Sequence, residues 1–325
     1  MFHSHKCYVI DTKPAYIKND MRLHKVFNRL NKGAINNHSI NEIYENLLGE
    51  KPKIERRFFM DEFQLPLKKN LFGLYLVKVE LNGHMKQFLL DTGAQISACN
   101  DQTIKDCSLT KTKGSMQIES FAGSAKLLGG VLVDTFRIGG LEIRNQPMVV
   151  SAFSDLNISL LGKSLTGIDG ILGWDILSTL DFEIDDLNRT FNLIKVNEKI
   201  GNCNLIQSLF PTLILLDKNH DYALVGFDSG AKTSWINSKL IGDSVNHVDE
   251  GEAFVLGVHG LESVHLSIGD QVRFKLFQAN IHFENIMTGR TNVFKNFEFD
   301  AILGNELLRK RKIRFINSQC FVQII

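Results

Sequence analysis

The sequence predicts a mainly β protein of two similar lobes in a pseudo-twofold arrangement, preceded by a short helical extension. Three observations predict it. Near residue 63 the pattern changes from helical spacing to short strands with Gly-containing turns. The segment FLLDTGAQIS (88–97) is nearly repeated by VGFDSGAKTS (225–234). DGILGWDIL (169–177) is likewise matched by DAILGNELL (300–308).

The elements follow in order. Leu23, Val26, Phe27 and Leu30 share a helical face, and Gly33 ends it. Ser39 and Glu42 form a capping box for a second helix, with Ile43, Leu47 and Leu48 on one face and Gly49 as its stop. A basic connector follows, with Lys51, Lys53, Arg56 and Arg57. LFGLYLVKVELNGHMKQFLL (71–90) reads as two strands around an Asn82-Gly83 hairpin turn. Ser97 and Ser234 each fall six residues after the repeated Asp, and Gly123 and Gly260 each fall 32 after it. After each ILG comes a short helical segment, then a closing hairpin: LDFEIDDLNRTFNLIKV and KIRFINSQCFVQII. The expected units are an extension over 1–62, a first lobe over 63–198 and a second over 204–325.

Composition sets bounds on function. The 325 residues are 44% hydrophobic, with 23 Phe and 5 Pro, which suits a β-rich core. A net charge of +1 argues against nucleic acid or a membrane surface recruited by bulk charge. The five Cys (7, 99, 107, 203 and 320) are odd in number and show no CxxC spacing, so free thiols in a reducing compartment are expected. The N-terminus lacks the apolar run of a signal peptide, and nowhere do 18 apolar residues run together. The expected location is cytoplasmic.

One acid per repeat, Asp91 and Asp228, points to a site on the pseudo-twofold axis. Two carboxylates meeting there push their pKa values apart and hold one proton between them. Such a pair is both general base, toward a water between the lobes, and general acid, toward a carbonyl oxygen. That suffices to hydrolyse an amide without metal or cofactor. Gly93 and Gly230 let the backbone approach the acids closely and supply N–H donors. Thr92 and Ser229 have hydroxyls able to bond across to the other lobe. The bland alternative makes both acids ordinary turn residues, since Asp-x-Gly is common in turns.

DTGA with ILG, and DSGA with ILG, resemble the two signature motifs of the aspartic proteases, in the retropepsin-like branch. The resemblance covers about 63–325. It implies two retropepsin-like lobes fused in one chain, a monomer acting as a pseudo-dimer, and endopeptidase activity on a peptide or protein substrate. It further implies Asp91 and Asp228 as catalytic residues, supported by Thr92, Gly93 and Ala94 in one loop and Ser229, Gly230 and Ala231 in the other. Hairpin flaps would place Phe121, Ala122 and Gly123, and Val258, His259 and Gly260, over substrate; plain surface or core positions are the alternative for Phe121 and Val258. Trp174 and Asn305 depart from the Arg that follows this Gly in retroviral enzymes, and no Tyr marks a pepsin-type flap. The competing functions are a protease-derived peptide- or protein-binding module without cleavage, and a protease limited to self-processing.

Other features have blander readings. His3, His5 and Cys7 are read as a disordered tail rather than a metal site. Gly162 to Ser164 look like the end of a phosphate-binding loop, but the upstream glycine is missing. Arg309 to Lys312 are read as solvated charge at a helix end. The basic connector is read as a linker, with an inhibitory arm over the acids as the alternative.

Overall fold

The computed structural model describes residues 6–11, 40–119, 125–151, 159–160, 163–164, 167–201, 203–206, 208–217, 221–237, 250–257, 260–276, 279–289, 292–294 and 297–325. It is mainly β, with barrel-like sheets and a few short helices. The expected helix around Leu23–Leu30, and Ser39 of the capping box, lie outside these residues.

Two nine-stranded sheets dominate, each a path of eight strands with a ninth off it, Lys68–Lys69 beside Tyr75–Leu81 in the first and Leu205–Ile206 beside Thr212–Asp217 in the second. The first runs Glu55–Phe58, Leu141–Val150, Ala98–Cys99, Gly170–Leu172, His84–Leu90, Tyr75–Leu81, Ala125–Ile138 and Thr110–Glu119. The second runs Lys6–Asp11, Ala279–Gly289, Trp235–Asn237, Ala301–Leu303, Tyr222–Phe227, Thr212–Asp217, Gly260–Leu276 and Glu250–Gly257. The two orders agree strand for strand. In each, a second pairing (Leu141–Val150 with Ala125–Ile138, Ala279–Gly289 with Gly260–Leu276) curls the sheet toward closure.

The strand ending at Leu90 begins exposed and finishes with three buried residues. Its alternation is lost because its end is sandwiched: Leu76 pairs with Leu89 on one side, and Phe88 and Leu90 pair in parallel with Gly170 and Leu172 on the other. The Asn82-Gly83 turn has positive φ at both residues, 46° and 85°, the conformation a two-residue hairpin demands.

A five-stranded sheet joins the halves. Its order is Phe321–Ile324, Lys312–Ile316, Asp181–Asp185, Thr190–Leu193 and Phe63–Pro66. The two closing hairpins therefore pair with each other, Phe182 opposite Phe315. Phe315 stacks on Phe182 at 4.9 Å and touches Phe227 and Trp174 at 5.5 and 5.8 Å, so aromatic rings from both halves fill this centre.

The N-terminal segment contributes strand as well as helix. Lys6–Asp11 pairs antiparallel with Ala279–Gly289, and Glu55–Phe58 pairs antiparallel with Leu141–Val150. These are the equivalent edges of the two sheets, and an edge strand leaves backbone donors and acceptors open for such pairing. Two expectations are corrected here. Cys7 lies in a paired strand rather than a disordered tail, while His3 and His5 lie outside the described residues. Arg56 and Arg57 of the basic connector are likewise in a strand, not a linker. Helix Ile40–Leu48 buries Ile43, Tyr44 and Leu47 against the first sheet. Its approach is close enough that a methyl on Gly114 would lie 2.0 Å from the Asn46 carbonyl oxygen.

Among the described residues no helix is long and apolar enough to cross a membrane.

Candidate active site

Asp91 and Asp228 each follow the last residue of a sandwiched strand. The Asp91 N–H donates to the Leu172 carbonyl at 3.1 Å, and the Asp228 N–H to that of Leu303 at 2.8 Å. The chain then turns back. Trp174 N donates to Ala94 O, and Asn305 N to Ala231 O, both at 2.7 Å. Each acid is thus held at the mouth of a loop whose two ends are tied to the same ILG segment.

Within each loop one carboxylate oxygen is fixed. Asp91 Oδ1 accepts from the N–H groups of Gly93 (2.9 Å) and Ala94 (3.1 Å). Asp228 Oδ1 accepts from those of Gly230 (2.8 Å) and Ala231 (3.0 Å). Both acids are only partly buried, whereas Thr92 and Ser229 are fully buried between the loops.

The loops meet through those two residues. Thr92 N donates to Ser229 Oγ and Ser229 N to Thr92 Oγ1, both at 3.0 Å. Thr92 Oγ1 donates to the Phe227 carbonyl (2.9 Å), and Ser229 Oγ to that of Leu90 (2.8 Å). The result is a reciprocal set of four hydrogen bonds with a two-fold pattern. The glycines complete the contact. A methyl on Gly93 would lie 2.3 Å from Asp228 Cγ, and one on Gly230 would lie 2.4 Å from Asp91 Cγ. Each carboxylate therefore sits against the other loop's glycine, where only hydrogen leaves room.

Electrostatics follow from this packing. Burial, and then the neighbouring Asp228 charge, push Asp91 well above the usual carboxylate range; the Ala94 and Gly93 N–H groups oppose this. Burial also raises Asp228, against hydrogen bonds from Asp91, Gly230 and Ala231. The pair titrates as a unit.

Residues 77–176, which carry the first acid and the first ILG, match the family model described as aspartyl protease. This part of the chain is similar to the retropepsin-like aspartyl proteases. No curated protein matches the chain.

The two acid loops rest on supports whose role the sequence does not reveal. Ser97 Oγ accepts from Gly173 N (3.0 Å) and donates to Asp175 Oδ1 (2.7 Å), and Ser97 N also donates to Asp175 Oδ1 (2.9 Å). In the other half, Ser234 Oγ accepts from Gly304 N (2.9 Å), and Ser234 N donates to Glu306 Oε1 (2.6 Å). A serine six residues after the acid is thus bound to a carboxylate two residues after the ILG glycine. That second spacing repeats in the sequence and is the signal that could have found the pair. Asp169 and Asp300 form a second such pair, accepting from the N–H groups of Gln87 and Leu224 on the acid-bearing strands.

Phe121, Ala122, Gly123, Val258 and His259 lie outside the described residues. The strands leading to them form antiparallel hairpins, with Glu119 opposite Ala125 and Gly257 opposite Gly260. Among the described residues no group of three or more His, Cys, Asp or Glu is arranged to hold a metal ion.

Proposed function

We propose that the chain is an aspartic endopeptidase of two fused retropepsin-like lobes, each giving one acid to a single site. The observation that carries this reading is the reciprocal seating of each carboxylate on the other loop's glycine. It brings two acids together with their inner oxygens already satisfied, leaving the outer oxygens for a water and a substrate carbonyl.

The reaction then balances as follows. Asp228, the ionised member, accepts a proton from the water as its oxygen attacks the scissile carbonyl carbon. Asp91 gives its proton to the carbonyl oxygen, forming a tetrahedral gem-diol. Collapse breaks the C–N bond: the proton on Asp228 passes to the amine nitrogen, one gem-diol hydroxyl gives its proton to Asp91 as the carboxylic acid forms, and the pair is left with one proton as before. The hairpins ending near 120 and 258 would close over the peptide. Because both acids come from one chain joined by a continuous five-stranded sheet, the enzyme acts as a monomer. Four described cysteines (99, 107, 203 and 320) are free thiols, in keeping with a reducing compartment such as the cytoplasm.

Incubation of the purified chain with a mixed peptide pool across pH 3–8, beside Asp91→Asn, tests the reading. Internal cleavage by the wild type alone supports it. Peptide retention without products from either protein would mean a binding module instead.

A further inference from the structure

Helix Ile40–Leu48 lies outside the sequence repeat, yet one of its side chains reaches the support beneath the Asp91 loop. Tyr44 is fully buried, and its hydroxyl donates to Asp175 Oδ2 at 2.7 Å. It accepts from Gln146 Nε2 at 2.8 Å, and that amide also lies 3.4 Å from Asp175 Oδ2. The other carboxylate oxygen holds Ser97, the last residue of the loop that starts at Asp91. A continuous buried path thus runs from Tyr44 through Asp175 and Ser97 to the catalytic loop.

We propose that Tyr44 is a positioning residue for the first catalytic loop: its hydroxyl orients the Asp175 carboxylate, which through Ser97 fixes the path of the chain from Asp91. This rests on the aspartic-protease reading. Tyr44 has the strongest hold on Oδ2, the oxygen that Ser97 leaves free, so without it that side of the carboxylate keeps only the longer 3.4 Å contact from Gln146. Burial pushes Asp175 above the usual carboxylate range, and the Ser97 and Tyr44 donors oppose this. Burial and the Asp175 charge raise Tyr44 in turn, so it keeps its proton and stays a donor throughout the working range. The groups facing Asp175 are Tyr44 from the helix, Gln146 from the strand Leu141–Val150 and Ser97 from the loop. Arg56, Ser178 and Thr179 share a surface cavity of about 300 Å³ with it. Arg56 is the cation among them and is exposed, which leaves the hydrogen bonds from Ser97 and then Tyr44 as the contacts that favour the charged form of Asp175.

Tyr44→Phe in the full chain tests the role, since Phe keeps the ring and its packing. At neutral pH kcat should fall about tenfold with KM within twofold, because the loop rather than the substrate contacts is disturbed. The acid limb of the pH profile should move to higher pH, as Asp175 then protonates sooner. In an Asp175→Asn background the same change should leave the profile unmoved. Wild-type kcat and pH profile in Tyr44→Phe would overturn the proposal. So would a lowered melting temperature with unchanged kcat for the folded fraction, which would mark Tyr44 as packing only. A carboxyl ¹³C titration of Asp91 reads the coupling without turnover: its midpoint should move in Tyr44→Phe, and an unmoved midpoint would sink the proposal. Absence of peptide cleavage by the wild type would count against the protease reading instead, and the titration would still decide this one.

Discussion

Thr92 and Ser229 exchange backbone-to-hydroxyl hydrogen bonds across the two loops, each at 3.0 Å, although 137 residues separate them. Each hydroxyl also donates to a backbone carbonyl of the other half, Thr92 Oγ1 to Phe227 and Ser229 Oγ to Leu90. Thr92→Val removes the acceptor for Ser229 N and leaves it buried and unpaired, a cost of about 1–3 kcal/mol. The expected result in chemical denaturation is a lower midpoint and reduced peptide turnover. Thr92→Ser keeps the hydroxyl and should retain most of both.

Asp91→Asn and Asp228→Asn are each expected to cut turnover by ~10⁴-fold or more, and the double variant to lose little further, because the pair acts as a unit. Stability should move the other way. Folded-state values raised above those of the unfolded chain mean that both acids cost stability once pH exceeds about 4, and the cost grows until the folded value is passed. Asp91→Asn should therefore melt higher than wild type at neutral pH, with the gap closing as pH falls. A variant no more stable than wild type at pH 7 would contradict the crowding of the two acids.

Gly93→Ala and Gly230→Ala should each abolish cleavage. The added methyl would meet the opposing carboxylate carbon at 2.3 or 2.4 Å, so the loops must part. Circular dichroism should show the sheets retained. Normal turnover in either variant would mean that the loops separate in the working enzyme.

The Ala94→Ser, Ala231→Ser double variant addresses the working pH. Both alanine N–H groups already donate to an Asp oxygen, and neither side chain adds a donor. A hydroxyl there would favour the ionised form, so the acid limb of the pH–activity profile should move to lower pH. A fixed limb would assign the range to burial alone.

The basic connector leaves open, from sequence, an N-terminal arm that flanks the cleft and restrains activity. The described part of that segment instead forms edge strands on both sheets and buries Ile43, Tyr44 and Leu47. Leu47→Ala should cost about 2–5 kcal/mol. A chain starting near residue 60 should be less stable and less active, readable by melting and by peptide turnover.

Much of the site is legible in the sequence because its demands are local. A turn that presents an acid to a facing loop needs a hydroxyl, a glycine and a small residue in fixed order, and DTGA and DSGA spell that order twice. The Asn82-Gly83 hairpin is readable for the same reason, since few residues accept positive φ. Asp175 and Glu306 are not, because a lone acid in a short helix looks like a first-turn charge until the serine beneath it is seen.

The sequence by itself determined the mainly β class, the doubled acid loop and the ILG segments behind it, because each is written in neighbouring residues. Tertiary structure alone decided that Asp181–Asp185 pairs with Lys312–Ile316, that Lys6–Asp11 and Glu55–Phe58 complete opposite sheets, and that Tyr44 reaches Asp175 across 131 residues. An exposed strand edge accepts any backbone and a buried carboxylate any well-placed donor, so periodicity cannot name the partner. The choice is made when the chain closes on itself and each buried polar group must be satisfied at once.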